Sequence, residues 1–164
     1  MNNSPKLKLE LTVTDKLSEI LGWLAIILIW ILLFSNYFNL PEMIPSHYNL
    51  LNQIDGYNTK TSILFLPCVA TAIFIGLTIL NKYPYKFYPF YISSANIIKE
   101  YTKATKLIRN FKLVLAIAFV IIEFLIIKIA DKQIYTTDFY LFTYVKWIVL
   151  LPLIYLTVKT FKFI

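Results

Sequence analysis

Residues 17–38 read LSEILGWLAIILIWILLFSNYF, and this apolar stretch decides the class of the protein. A helix that crosses a bilayer needs about 20 consecutive, mostly apolar residues. Three further stretches meet that criterion, at about residues 62–80, 111–130 and 139–158. The sequence therefore predicts an all-α fold, an integral membrane four-helix bundle that forms a single membrane domain over residues 1–164.

The composition indicates a bilayer rather than water as the main solvent of the chain. Hydrophobic residues make up 59% of the 164 positions and charged residues only 15%, whereas about 25% of a soluble domain is charged. The single cysteine, Cys68, excludes an intramolecular disulfide and a cysteine-based zinc site. Paired catalytic carboxylates, a phosphate-binding glycine loop and triad spacing are all missing from the sequence. We therefore expect a non-enzymatic protein without a cofactor.

The distribution of basic residues predicts the orientation, because cytoplasmic loops carry an excess of lysine and arginine. Of the 16 basic residues, twelve fall on the side that holds the N-terminus, the second loop and the C-terminus. The other four are Lys60, Lys128, Lys132 and Lys146. We expect a multi-pass protein of the cytoplasmic (inner) membrane, with both termini cytoplasmic and the first loop facing outward.

The outward loop, residues 39–61, is predicted to be ordered by its own turn chemistry. Pro41 and Pro45 end the first helix and favour extended or turn geometry at the residues before them. Asp55 and Gly56 form a typical turn dipeptide, and asparagine tolerates a left-handed backbone better than most residues. The asparagines of the loop are Asn49, Asn52 and Asn58.

A motif within this loop resembles a known family. It reads Leu-Pro at 40–41, Ile-Pro at 44–45, His-Tyr-Asn at 47–49, Asp at 55 and Tyr-Asn-Thr-Lys at 57–60. The spacing is similar to that of a bacterial family, domain of unknown function 1648, which is also found as the N-terminal module of the SdpI-like immunity proteins. Where the family has glycine this chain has Asn52 and Asn58, and asparagine is the residue that best replaces glycine at positive φ.

The resemblance implies an immunity-like recognition role or a signalling accessory role, exerted through the outward loop on a peptide or protein outside. His47, Asp55 and Lys60 are the leading candidates for a ligand or ion site. In the alternative interpretation these side chains only satisfy backbone groups of the loop. A zinc site formed by His47, Asp55 and Glu42 is chemically conceivable, but a single histidine without a nearby cysteine leads us to expect no metal. The candidate motif residues are Pro41, Pro45, His47, Asn49, Asp55, Tyr57 and Lys60.

The stretch at about residues 94–110 has helical periodicity with a basic stripe. We predict a helix that lies in the cytoplasmic interface of the membrane and runs into the third span. Since its charges flank membrane spans, we expect anionic lipid headgroups as the partner and no nucleic acid. The predicted lipid-facing residues are Lys99, Lys103, Lys106 and Arg109.

Two charged residues fall well inside predicted spans, Glu123 in the third and Lys146 in the fourth. Charges at such depth are rare, face the bundle interior and usually pair with each other. Both lie at a similar depth below the short connection between their spans, so we predict a contact between them. The pair supports an alternative function, a small transporter or an ion-coupled permease subunit.

Overall fold

The computed structural model of the chain describes residues 9–49, 54–83 and 97–131, together with single positions between 147 and 155. In chain order a long helix leads into a short hairpin, a second helix returns, and a third, longer helix follows. Short 3-10 turns lie on both sides of the hairpin. The elements are α1 (Val13–Asn36), a 3-10 turn (Tyr37–Asn39), β1 (Met43–Tyr48), β2 (Ile54–Thr59), a 3-10 turn (Lys60–Leu64), α2 (Phe65–Lys82) and α3 (Ile97–Ala130).

Three helical stretches within the described residues are long and apolar enough to cross a membrane. They run over Val13–Asn39, Lys60–Lys82 and Ile98–Ala130, and correspond to the first three predicted spans. The chain is thus a multi-pass membrane protein. The predicted fourth span, about residues 139–158, lies outside the described residues except for five positions, which are helical and exposed. They are Trp147, Leu150, Leu151, Ile154 and Tyr155.

The first helix begins earlier than the apolar pattern predicts, because a capping box fixes its N-terminus. The Asp15 backbone N–H donates to Thr12 Oγ1 at 3.3 Å, and the Thr12 backbone N–H donates to Asp15 Oδ2 at 3.0 Å. This reciprocal arrangement satisfies two backbone donors that have no partner within the helix. α1 therefore starts at Val13 and places Asp15 in its first turn.

The predicted interfacial helix runs directly into the third span, and the two form one continuous helix. Residues 97–130 form the single 34-residue helix α3, which measures about 51 Å at about 1.5 Å per residue. The sequence holds no proline or glycine between Ile97 and Ala130, so nothing interrupts the helix where the basic and apolar parts join. Because α3 exceeds the roughly 30 Å of a hydrocarbon core, its basic N-terminal part projects beyond the apolar layer.

The helices pack around two apolar clusters, one on each side of Trp30. Trp30 contacts both clusters, and its indole Nε1–H donates to Thr71 Oγ1 at 3.0 Å, which ties α1 to α2. Gly22 allows the same two helices to approach, since a Cβ there would lie 2.7 Å from the Phe74 ring. The middle cluster contains Ala25, Ile26, Ile29, Ala70, Phe74 and Ala116. The hairpin-side cluster contains Leu33, Leu40, Ile44, Ile63, Ile127 and Ala130.

The outward loop folds as a two-stranded antiparallel sheet, so the predicted all-α class is wrong for this segment. Pro41 and Pro45 restrict the residues before them to extended backbone, and pairing with β2 then satisfies the exposed polar groups of β1. Ile44 is buried in the hairpin-side cluster, which fixes the sheet to the ends of the helices. The sequence analysis predicted a loop ordered by turns and missed the pairing of β1 with β2.

Candidate functional site

The hairpin has an irregular register centred on His47. Pro45 pairs with Tyr57, His47 with Gly56, and Tyr48 with Ile54. Ser46 in β1 and Asp55 in β2 are therefore extra residues without a direct partner across the sheet. Bulges of this kind re-aim side chains and are frequent next to functional sites.

These two bulges bring His47 and Asp55 together although they are distant in the loop sequence. His47 Nδ1 lies within hydrogen-bonding distance of Asp55 Oδ1. The side chains are nevertheless 73% and 41% exposed, so both remain open to an external partner. With Nδ1–H held by the carboxylate, the other ring nitrogen, Nε2, is left to bind a ligand.

Gly56 makes this arrangement possible because His47 lies directly across the sheet from it. A Cβ at Gly56 would lie 2.9 Å from the Cβ of His47, closer than side chains ordinarily approach. Gly56 belongs to β2, and the predicted Asp55–Gly56 turn is therefore wrong. Asn58 also lies within β2, paired with Ile44, rather than at the left-handed position predicted for it. Asn52 lies outside the described residues.

A second ion pair closes the base of the hairpin. Lys60 Nζ lies 2.7 Å from Glu42 Oε1, and the Lys60 backbone N–H donates to the Glu42 carbonyl at 2.9 Å. The ammonium also lies 5.7 Å from the centroid of the Tyr37 ring, within cation–π range. Glu42 is thus engaged with Lys60 rather than with His47. Over the described ranges no three histidine, cysteine or acidic residues converge on a metal site.

The other motif residues frame the His47–Asp55 pair. Pro41 and Tyr57 are exposed, while Pro45 and Asn49 are partly buried. Tyr57 lies across from Pro45 in the sheet, next to the pair formed by His47 and Gly56. The hairpin therefore combines an exposed polar pair with an exposed aromatic side chain on a scaffold that is fixed to the helix bundle.

The opposite end of the bundle holds a charge cluster that the sequence reasoning missed. Arg109, predicted to contact lipid headgroups, is buried instead. Its Nη1 lies 3.4 Å from Asp15 Oδ1, and its Nε lies 3.4 Å from Glu19 Oε1. The prediction is wrong for this residue because α3 turns Arg109 toward α1, where two carboxylates are available.

Lys112 extends this cluster to the second helix. Its Nζ donates to Glu19 Oε2 at 2.6 Å and to Thr78 Oγ1 at 2.8 Å, and lies 4.6 Å from the centroid of the Phe74 ring. The Lys112 side chain is fully buried. We call Asp15, Glu19, Thr78, Arg109 and Lys112 the ionic cluster, and it joins α1, α2 and α3.

The predicted basic stripe is otherwise exposed. Lys99 and Lys106 are exposed, and Lys103 Nζ lies 3.0 Å from Glu100 Oε1 one turn away. Their contact with anionic headgroups stays a prediction. Spacing alone does not separate Arg109 from these lysines, because Lys103, Lys106 and Arg109 follow one another at the same three-residue interval as Arg109 and Lys112. A single sequence does not show which faces meet.

Glu123 is fully buried in α3. Neither of its carboxylate oxygens has a hydrogen-bond partner within the described part of the chain. Lys146 lies outside the described residues, so the predicted contact between Glu123 and Lys146 stays a prediction. Lys128, on the same helix, has its Nζ 5.7 Å from the centroid of the Phe124 ring.

Comparison with known proteins points to the hairpin rather than to the ionic cluster. Residues 24–71 match the model of a family described as a domain of unknown function (DUF1648). An uncharacterized protein of Archaeoglobus fulgidus is 34% identical over 92 residues, covering 51% of this chain and 49% of that protein. The chain thus spans about half the length of this relative. No solved structure matches it.

The matched region contains most of α1, the whole hairpin and the start of α2, and it excludes every member of the ionic cluster. The relative is archaeal, so a bacterial origin and the link to SdpI-like immunity proteins stay expectations of the resemblance. Residues 24–71, the part of the chain that is similar to this family, include the hairpin and the flanking parts of two helices long and apolar enough to cross a membrane.

Proposed function

We propose that this protein is a non-enzymatic membrane protein that recognises a peptide or protein outside the cytoplasm through its hairpin. By this binding it protects the membrane from that partner, as an immunity protein does, or reports its presence as a signalling accessory. The observation that carries the proposal is the exposed His47–Asp55 pair. Two bulges bring the two side chains of this pair together on the hairpin. Ile44 packs in the hairpin-side cluster and so fixes the hairpin to the helix ends.

The chemistry of the hairpin surface suits a peptide better than a metal or a small apolar molecule. His47 offers Nε2 as a hydrogen-bond acceptor and Asp55 offers a carboxylate. Met43 and Tyr57, which are 52% and 58% exposed, add large side chains beside them. Mixed polar and aromatic surfaces of this kind are typical of protein interfaces. The buried Ile44 fixes the hairpin to the helix ends, and a surface that is already ordered before binding lowers the entropic cost of binding.

The orientation of the molecule supports an external partner. In the four-span topology that the sequence predicts, twelve of the 16 basic residues fall on the side opposite the hairpin, and the positive-inside rule predicts that this side is cytoplasmic. Lys99, Lys103 and Lys106 are then placed to contact anionic lipid at the inner surface. The hairpin faces outward in this arrangement, with no cofactor needed for its role.

A deletion strain tests the proposal directly. Its growth is measured in medium conditioned by the parent strain and in fresh medium. We expect conditioned medium to inhibit the deletion strain, and wild-type protein to restore growth. His47→Ala should fail to restore growth at an unchanged amount of protein in the membrane, whereas the control Lys106→Ala, at the opposite end, should restore it.

Two results would contradict the proposal. Equal growth of the deletion and parent strains in conditioned medium would remove the protective role. Full restoration by His47→Ala would show that recognition does not depend on the exposed pair. A parallel loss of growth and of membrane protein in His47→Ala would assign His47 a structural role.

A further inference from the structure

Glu123 differs from the other buried charged side chains. Arg109 and Lys112 face carboxylates, and Asp15 faces Arg109 and its own capping partner Thr12. Glu123 is 0% exposed, yet neither carboxylate oxygen finds a hydrogen-bond donor among the described residues. A buried polar group in this state calls for an explanation of its own.

The position of Glu123 along α3 separates it from water at both ends. At about 1.5 Å per residue it lies about 16 Å from Lys112 and about 10 Å from Ala130 along the helix. Toward the cytoplasm the ionic cluster joins the three helices. Toward the hairpin, Ile127 and Ala130 belong to the apolar cluster that also buries Ile44. Glu123 therefore lies in the interior of the bundle, between two packed layers.

Of the described helices beside it, neither α1 nor α2 offers it a charge at this level. α1 carries no charged residue from Gly22 to Asn36, and α2 carries none from Phe65 to Asn81. On α2 the titratable Cys68 is exposed. The remaining charged or titratable groups belong to α3 itself, to the hairpin side or to the segment that follows. They include Lys112, Lys128 and Asp131 on or directly after α3, Tyr37, Glu42, His47, Asp55, Tyr57 and Lys60 on the hairpin side, and Lys132, Tyr135, Asp138, Tyr140, Tyr144 and Lys146 outside the described residues.

An ionised carboxylate in such surroundings is strongly unfavourable, whereas a neutral carboxylic acid is much less so. We propose that Glu123 is an intramembrane proton-binding site, occupied by a proton when the bundle is packed as seen here. The inference stands independently of recognition by the hairpin, because it concerns a different element and a different ligand, the proton.

The protonation state of Glu123 also affects how tightly the helices pack around it. Loss of the proton leaves a charge between the middle and hairpin-side clusters, and that charge needs water or a cation beside it. Deprotonation of Glu123 is therefore coupled to loosening of the helix packing at this level. The bundle is most compact with the acid neutral.

Infrared spectroscopy of the full chain in lipid vesicles tests the proposal. A protonated carboxyl group has a carbonyl stretching band that is separate from the carboxylate bands. At neutral pH we expect wild-type protein to show this band and Glu123→Gln to lack it. The matched control Glu100→Gln, which changes a solvent-facing acid on the same helix, should retain it. Absence of the band from wild-type protein would overturn the proposal.

Two further measurements keep the result independent of any one variant. An apolar carbodiimide adds to a protonated carboxyl group in the membrane, and in wild-type protein the adduct should map to the peptide that contains Glu123. If Glu123 is instead a carboxylate paired with Lys146, the infrared band is absent from wild-type protein and appears only in Lys146→Met. That outcome would show that Glu123 forms an ion pair with Lys146 and does not bind a proton.

Discussion

The two ends of the bundle use the same chemistry in opposite surroundings. The hairpin end holds two acid–base pairs, His47 with Asp55 and Glu42 with Lys60, and one partner in each pair is largely exposed. The other end holds Asp15, Glu19, Arg109 and Lys112 in a cluster of which the two basic residues are fully or almost fully buried. Charge pairing by itself therefore says little about the role of a residue.

Burial determines what each set of charges contributes. Exposed ion pairs contribute about 0–1 kcal/mol to stability, so the hairpin pairs are free to serve binding. Removal of one partner from a buried pair costs about 3–5 kcal/mol because the other charge is left without compensation. The ionic cluster therefore holds the helices in register, and the hairpin presents a surface.

The largest expected difference between the two ends is their accessibility from outside the cell. In a variant with Cys68→Ser, the hairpin substitution Ser46→Cys should react with a membrane-impermeant thiol reagent in intact cells. The substitution Ser93→Cys, which precedes α3, should react only after the cells are broken open. Reversed labelling would place the ionic cluster outside and remove the basis for an external partner.

Breaking the ionic cluster should have the largest effect on stability. Lys112→Met removes the closest cation of the partly buried Glu19 and leaves it with Arg109 at 3.4 Å, so we expect the free energy of unfolding to fall by an amount at the lower end of about 3–5 kcal/mol. Unfolding of the purified protein in mixed micelles measures this change. The exposed control Lys106→Met should stay within about 0.5 kcal/mol of wild type.

The double variant Lys112→Met with Glu19→Met sharpens this test. Removing both charges avoids a partly buried carboxylate that has lost its closest cation, so the double variant should be more stable than Lys112→Met alone. Equal losses in Lys112→Met and Lys106→Met would show that the buried cluster contributes no more than a surface charge.

Glycine substitutions within the helices should change the free energy of unfolding by less than Lys112→Met does. Gly22→Ala forces a Cβ to within 2.7 Å of the Phe74 ring, and overpacking of this kind costs about 1–3 kcal/mol. Gly76→Ala on α2 is the matched control, since no atom lies within 4 Å of its added Cβ. It should be neutral or slightly stabilising, because alanine favours the helix by up to about 1 kcal/mol.

The same unfolding measurement in micelles compares these variants. A Gly76→Ala protein that is as unstable as Gly22→Ala would show that the close approach of α1 and α2 is not what Gly22 provides.

The sequence was most informative where hydropathy alone decides the structure. The spans that became α1, α2 and the apolar part of α3 follow from runs of residues that suit only a bilayer. The order of the outward loop also followed, because Pro41 and Pro45 restrict the backbone locally. These features depend on neighbours in the chain and are therefore visible in one sequence.

Features that depend on distant pairing were not predictable in the same way. The Asp55–Gly56 dipeptide is a turn signal locally, but pairing of Gly56 with His47 incorporates it into a strand. Arg109 was assigned to the lipid surface together with the basic stripe, because the periodicity of one helix does not show which of its faces meets another helix. Its burial depends on Asp15 and Glu19, which are far away in the sequence and meet it only when α1 and α3 pack.

The smallest expected change in stability is at the hairpin pair, and it is the most informative about function. Asp55→Asn keeps the shape of the side chain but removes the charge that holds His47 Nδ1–H. Because the pair is exposed, the free energy of unfolding should change by no more than about 1 kcal/mol. In the deletion strain the same variant should restore growth much less than wild-type protein does, since His47 loses its fixed orientation. A fall in stability similar to that of Lys112→Met would instead make the hairpin pair a structural counterpart of the ionic cluster, and the contrast between the two ends would be wrong.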